Sequence, residues 1–77
     1  MTYEQLLEML RDMHPDIDFE TAEGLIDRKV LTSFDVVSIA AELSETYGAE
    51  LGAVDIVPEN FNSARALFAL IERIENE

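Results

Sequence analysis

The residues able to do chemistry in this 77-residue chain fall into three groups: Ser33 with Asp35 two positions on, the single histidine His14, and the acids Asp16, Asp18, Glu20 and Asp27. A serine beside an acid suggests nucleophilic catalysis. That chemistry needs a base paired with the hydroxyl and donors for an oxyanion, often on a glycine-rich elbow, and "LTSFDVVSI" supplies neither. His14, with no second ligand or nucleophile in partnership, reads as a solvated side chain. In "DIDFETAEGLID" the acids fall at positions one, three, five and twelve of a calcium loop. Thr21, however, fills the position that requires glycine, and Asp27 replaces the longer bidentate glutamate. No metal site is expected. The chain has no cysteine, so it has no thiolate nucleophile, thiolate metal site or disulfide. The expectation is a protein that is not an enzyme, and on composition alone Ser33 reads as a polar residue at a helix start, beside a capping Thr32.

The elements that must position Ser33 are legible from spacing. Thr2 followed by Gln5 has the pattern of a capping box, and Tyr3, Leu6, Leu7, Leu10 and Met13 recur at helical intervals. Pro15 disfavours helix at His14, so the first helix should finish near Met13. Residues 14–32 form a long connection carrying apolar anchors at Ile17, Phe19, Leu25, Ile26, Val30 and Leu31, with a short helical turn expected around residues 22–26. Thr32 should cap the second helix, Asp35 suits the positive end of its dipole, and Gly48 suits the left-handed position that ends it. Its core face is Val36, Ile39, Ala40, Leu43 and Tyr47. Pro58 should open a short helix that turns Phe61 inward. Ser63 should cap the last helix, with Ala64, Leu67, Phe68, Ile71 and Ile74 inward. Only "AVDIV" is ambiguous between strand and turn. The reading is all-α: one domain spanning residues 1–77, three main helices plus a short one. Ala40 and Ala64 on inward faces are read as tight packing, not as space for a ligand.

The second helix carries a further stripe opposite its core face. Phe34, Val37 and Ala41 line up at three- and four-residue spacing, bordered by Ser38, Ser44 and Glu45 and flanked by Asp35 and Glu42. An apolar strip framed by acids suits a partner offering an apolar pocket rimmed with Arg or Lys.

Seventeen acids against five bases give a formal net charge of −12, and no positive side chain lies between positions 30 and 64. Such a field repels phosphate backbones and anionic lipid, so neither nucleic acid nor a membrane surface is an expected partner. Disorder is not expected, because 48% of the residues are hydrophobic and recur with helical spacing. No run approaches a membrane span and no basic leader precedes an apolar stretch, so a cytoplasmic protein is expected.

Residues 25–74 resemble an acyl carrier protein. Carriers of that family present an Asp-Ser-Leu-like motif at the start of their second helix, where this chain reads "LTSFDVVSIAAELSETYGAEL". The later "DIVPENFNSARALFALIERI" is similar to their short third helix and their fourth. The resemblance implies a small four-helix bundle of acyl-carrier type in which Ser33 bears 4′-phosphopantetheine, attached by a separate phosphopantetheinyl transferase. An acyl, aminoacyl or ketide group would ride on the arm's thiol. It also implies that Phe34, Asp35, Val37, Ser38, Ala41, Glu42 and Glu45 form the recognition surface. The partners implied are the transferase and acyl-loading and acyl-processing enzymes with basic docking patches. On this resemblance the chain is a free-standing monomeric carrier of fatty-acid, polyketide or related biosynthesis. A D-alanyl-type aminoacyl carrier is the alternative within the family, and a cofactor-free acidic helical adaptor of the same fold is the alternative outside it. Departures accompany the match: Thr32 stands where the family usually has aspartate, Arg28 and Lys29 put two bases near Ser33, and Ser38 and Ser44 occupy positions that are often acidic.

Overall fold

In the computed structural model, which describes residues 1–76, Thr2 opens the first helix through a reciprocal capping box. Its hydroxyl accepts from the Gln5 amide at 3.1 Å while the Gln5 side chain accepts from the Thr2 amide at 2.8 Å. Helix α1 spans Tyr3–Met13 and ends before Pro15. Helix α2 spans Ser33–Tyr47, and Gly48 closes it at φ 68°, a left-handed conformation that a side chain would strain. A single 3₁₀ turn covers Ala53–Asp55, which resolves the "AVDIV" ambiguity in favour of a turn. Asp55 fixes that turn by accepting from the Gly52 amide at 2.9 Å. Helix α3 spans Pro58–Phe61 with proline at its first turn, and α4 spans Ala64–Glu75 with the Ser63 hydroxyl accepting from Ala66 at 3.0 Å. No strand occurs among the described residues, so the architecture is a small all-α bundle of three substantial helices and one short one.

One apolar core joins the helices and the long connection. Leu6 and Leu10 of α1, Ile39 and Leu43 of α2, Phe61 of α3 and Leu67, Leu70 and Ile71 of α4 are nearly inaccessible, and Phe19, Leu25 and Leu31 of the connection join them. Leu70 was absent from the expected inward stripe; Phe68 and Ile74, which were in it, are only half-buried. Ala40 and Tyr47 are also half-buried, at the margins of the α2 core face. The space between Leu10, Phe19, Ile39, Phe61 and Leu67 amounts to about 10 Å³, at the threshold for one water, so the centre is filled by packing. A radius of gyration of 11.2 Å sits beside the roughly 11.5 Å expected of a compact chain this long, so the connection lies against the bundle instead of extending from it.

The connection departs from expectation in three places. The helical turn expected at residues 22–26 does not form. Instead Asp18 holds a first turn, its carboxylate accepting from the Glu20 amide and the Thr21 hydroxyl, and a second turn begins at Gly24. Gly24 itself is left-handed (φ 62°), which breaks any helix running through it. Val30 is 43% exposed and does not anchor the loop, whereas Leu31 beside it is buried. His14 is not solvated: its side chain is one-fifth exposed, tilted against the Phe19 ring at 6.3 Å, with Nε2 3.7 Å from Asp35.

Candidate functional site

Ser33 is the first residue of α2, and everything immediately before it is held. Thr32 is the N-cap: its hydroxyl accepts from the Asp35 amide at 3.2 Å, while its own amide and hydroxyl donate to the Asp35 carboxylate at 2.9 and 3.0 Å. That reciprocal box satisfies donors at the helix start and fixes the direction in which the chain enters α2. The hydrogen bonds that Thr32 donates hold the Asp35 carboxyl below the usual carboxylate range against the opposing effect of partial burial, and His14 adds a smaller attraction. Ser33 itself is exposed, and its hydroxyl has no hydrogen-bond partner among the described residues. The capping task belongs to Thr32, which leaves the Ser33 oxygen available to another group.

Upstream, residues 24–31 form a tight turn in which Arg28 donates to the Gly24 carbonyl at 2.7 Å, Lys29 to Ile26 at 3.0 Å and Val30 to Leu25 at 2.8 Å. The last two bonds are the paired closure of a Schellman motif, with Lys29 in the left-handed position at φ 60°. For a residue with a Cβ that conformation costs about 1–2 kcal/mol, offset by the bonds around it. Arg28 and Lys29 are exposed and belong to none of the ion pairs formed among the described residues.

Ser33 lines a cleft of about 180 Å³ whose other walls are Ile26, Val36, Val37, Ile56, Val57 and Pro58. The floor is thus the start of α2 and the far wall is the approach to α3, with one hydroxyl among aliphatic side chains. Phe34, which does not line the cleft, is 77% exposed and Val37, which does, is 59% exposed, with Ala41 and Glu45 following on the same face. The proposed stripe therefore faces solvent. Its acidic edge is uneven. Glu45 is exposed, but Glu42 is half-buried and accepts from the Thr46 hydroxyl at 2.7 Å, and the Asp35 carboxylate is turned back into the cap. Ser38 and Ser44 are half-buried. Val54, 85% exposed on the 3₁₀ turn, adds an apolar side chain that no sequence period marks.

Among the described residues no three His, Cys, Asp or Glu side chains are grouped to hold a metal ion. Of the calcium-loop acids, Asp18 serves its own turn, Glu20 pairs with Arg11, and Asp27 accepts from Asn62. No family model, curated protein or solved structure matches the chain. No helix among the described residues is long and apolar enough to cross a membrane. What the geometry offers is a presented hydroxyl at the mouth of an apolar cleft, beside an exposed apolar stripe on an acidic body. Such an arrangement can carry a group covalently and be recognised while doing so.

Sequence reasoning missed Asn62. Its main-chain oxygen accepts from the Leu25 amide at 2.9 Å, its Oδ1 accepts from Ile26 and Asp27 at 2.9 and 3.1 Å, and its Nδ2 donates to Asp27 at 3.2 Å. No local signal could have found these contacts, because the partners lie 35 or more positions away.

Proposed function

We propose that the chain is a carrier of acyl-carrier type, bearing 4′-phosphopantetheine on Ser33 and presenting the group attached to it to a succession of enzymes. The observation that carries this reading is Ser33 itself, exposed at the first position of α2 with its hydroxyl unbonded and its cap supplied by the neighbouring residue. The residues present fit such a group: the serine oxygen is accessible, and an aliphatic cleft lies beside it for an apolar portion of the arm or cargo. When bound, the arm supplies a thiol that holds cargo as a thioester. The chain's own residues do the rest. Thr32 and Asp35 fix the angle at which Ser33 leaves the surface, and Phe34, Val37 and Ala41 give partners an apolar contact. The acidic field steers basic surfaces toward it and speeds encounter without a large interface, and a small interface lets each partner leave quickly. The partners in this reading are a phosphopantetheinyl transferase and enzymes of fatty-acid, polyketide or related biosynthesis with basic docking patches.

The test is the intact mass of the protein after incubation with coenzyme A and a broad-specificity transferase, beside a control carrier. Gain of one phosphopantetheinyl group by the wild type, and none by Ser33→Ala, supports the reading; an unloaded wild type beside a fully loaded control contradicts it. A second reading, a cofactor-free acidic adaptor, is favoured by Thr32 in place of aspartate. An adaptor keeps its biological activity in Ser33→Ala, whereas a carrier loses it.

A further inference from the structure

Besides the buried Phe19, Leu25 and Leu31, one distant residue holds the connection that delivers the chain to Ser33. Asn62, the residue between α3 and α4, makes four hydrogen bonds to three consecutive residues, Leu25, Ile26 and Asp27. Its place matters because it is joined to residues of both walls of the Ser33 cleft, by a hydrogen bond on one side and through the chain on the other. Ile26, whose amide donates to Asn62 Oδ1, is one wall. Ile56, Val57 and Pro58 form the other, and they are tied to Asn62 through the four residues of α3. The Schellman turn that encloses Asp27 then carries this position on to Leu31 and the Thr32 cap.

From this juxtaposition we infer that Asn62 is a positioning residue for Ser33: it sets the spacing of the cleft walls and holds the approach loop clear for the enzyme that modifies the serine. The inference rests on the carrier reading and deepens it. Asn62 touches neither Ser33 nor the reacting atoms, so its influence is on presentation. The transferase supplies the chemistry, and loosening the latch should raise KM for the carrier while leaving kcat near its wild-type value.

The chemistry of the latch gives a direct test. Asn62→Asp keeps an oxygen for the Ile26 and Asp27 amides but sets a carboxylate against Asp27, whose side chain lies 3.2 Å from the present donor. The double variant N62D/D27N returns a donor opposite the new carboxylate and keeps the chain's formal charge. Loading of N62D by a broad-specificity transferase should show a KM raised roughly three- to tenfold, as expected for the loss of one or two hydrogen bonds, and the double variant should recover it. In hydrogen exchange followed by NMR, the Ile26 and Asp27 amides should open faster in N62D by a similar factor, with Leu67 and Ile71 unchanged. Exchange that accelerates at Ile26 and Asp27 while loading kinetics stay at wild type overturns the inference, as does a loading defect that the swap fails to restore. A wild-type chain that stays unloaded beside a loaded control overturns the carrier reading itself, a different result from a wild type and N62D that load alike.

Discussion

The two ends of the bundle treat their surfaces differently. At the end away from Ser33 the chain closes on itself: the Tyr3 and Phe68 rings meet edge to face at 5.5 Å, Arg65 lies over Tyr3 at 5.0 Å, and the N-terminal amine pairs with Glu75 at 2.9 Å. Apolar and charged groups alike find partners within the chain there. Around Ser33 the same kinds of groups are left outward. Phe34 and Val37 are largely exposed, Arg28 and Lys29 make no ion pair among the described residues, and an aliphatic cleft stays open. Exposed single hydrophobics are ordinary, and several on one face are the kind of surface that the proposed function would use. The difference teaches that the two regions order their backbone by different means. Backbone order at the Ser33 end comes from local hydrogen bonds and the Asn62 latch, which leaves its side chains unspent.

Substitutions should sort the two kinds of residue. Ile71→Ala removes a side chain with no exposure from the shared core and should lower unfolding free energy by about 2–5 kcal/mol, read from urea denaturation. A loss under 1 kcal/mol would mean that the core tolerates a hole there and that α4 is less central than its burial suggests. Phe34→Ala is the counterpart. Because the ring is mostly in water, stability should shift by no more than about 0.5 kcal/mol. Burial of the ring against a partner is worth about 1.5 kcal/mol or more, so kcat/KM for transferase loading should fall roughly tenfold. A stability loss as large as that of Ile71→Ala would erase the distinction between the ends.

Thr32→Ala tests the cap beside Ser33. It removes the hydroxyl that accepts from Asp35 and should cost about 1 kcal/mol of stability, seen as a lower midpoint in thermal unfolding. The smallest effect is a change of slope in acid. Asp35 has its carboxyl below the ordinary value of about 3.9 in the fold, so it stabilises the protein above that pH and the contribution disappears as pH falls through the folded value. Asp35→Asn should therefore flatten the acid limb of a stability profile and change its shape little at neutral pH. An unchanged acid limb would show that the capping carboxylate is not energetically linked to folding.

How much of this was legible in the sequence depends on the distance between interacting groups. Helices α1, α2 and α4 could be placed because each is specified within a few residues: Thr2 with Gln5, Thr32 with Asp35, Gly48 at a left-handed end, Ser63 before an apolar period. The exposed stripe of α2 was readable for the same reason, since a helix fixes the angular relation of Phe34, Val37 and Ala41 without reference to anything else. The connection was not. Its form depends on Gly24 and Lys29 adopting left-handed backbone and on Asn62, which reaches it across 35 to 37 positions. His14 likewise joins Asp35 across the fold, and Val54 projects from a three-residue turn too short to have a period. Residue spacing places Ser33 at the start of α2, but its exposure and the cleft beside it depend on three separate segments being brought together.

The most direct measurement is the site-resolved mass of the protein purified from the cells that make it. Peptide fragmentation should place a phosphopantetheinyl group on Ser33 in at least part of the population, with the arm's thiol free or holding cargo. Finding every molecule with an unmodified Ser33, from cells whose other carriers are loaded, would contradict the account.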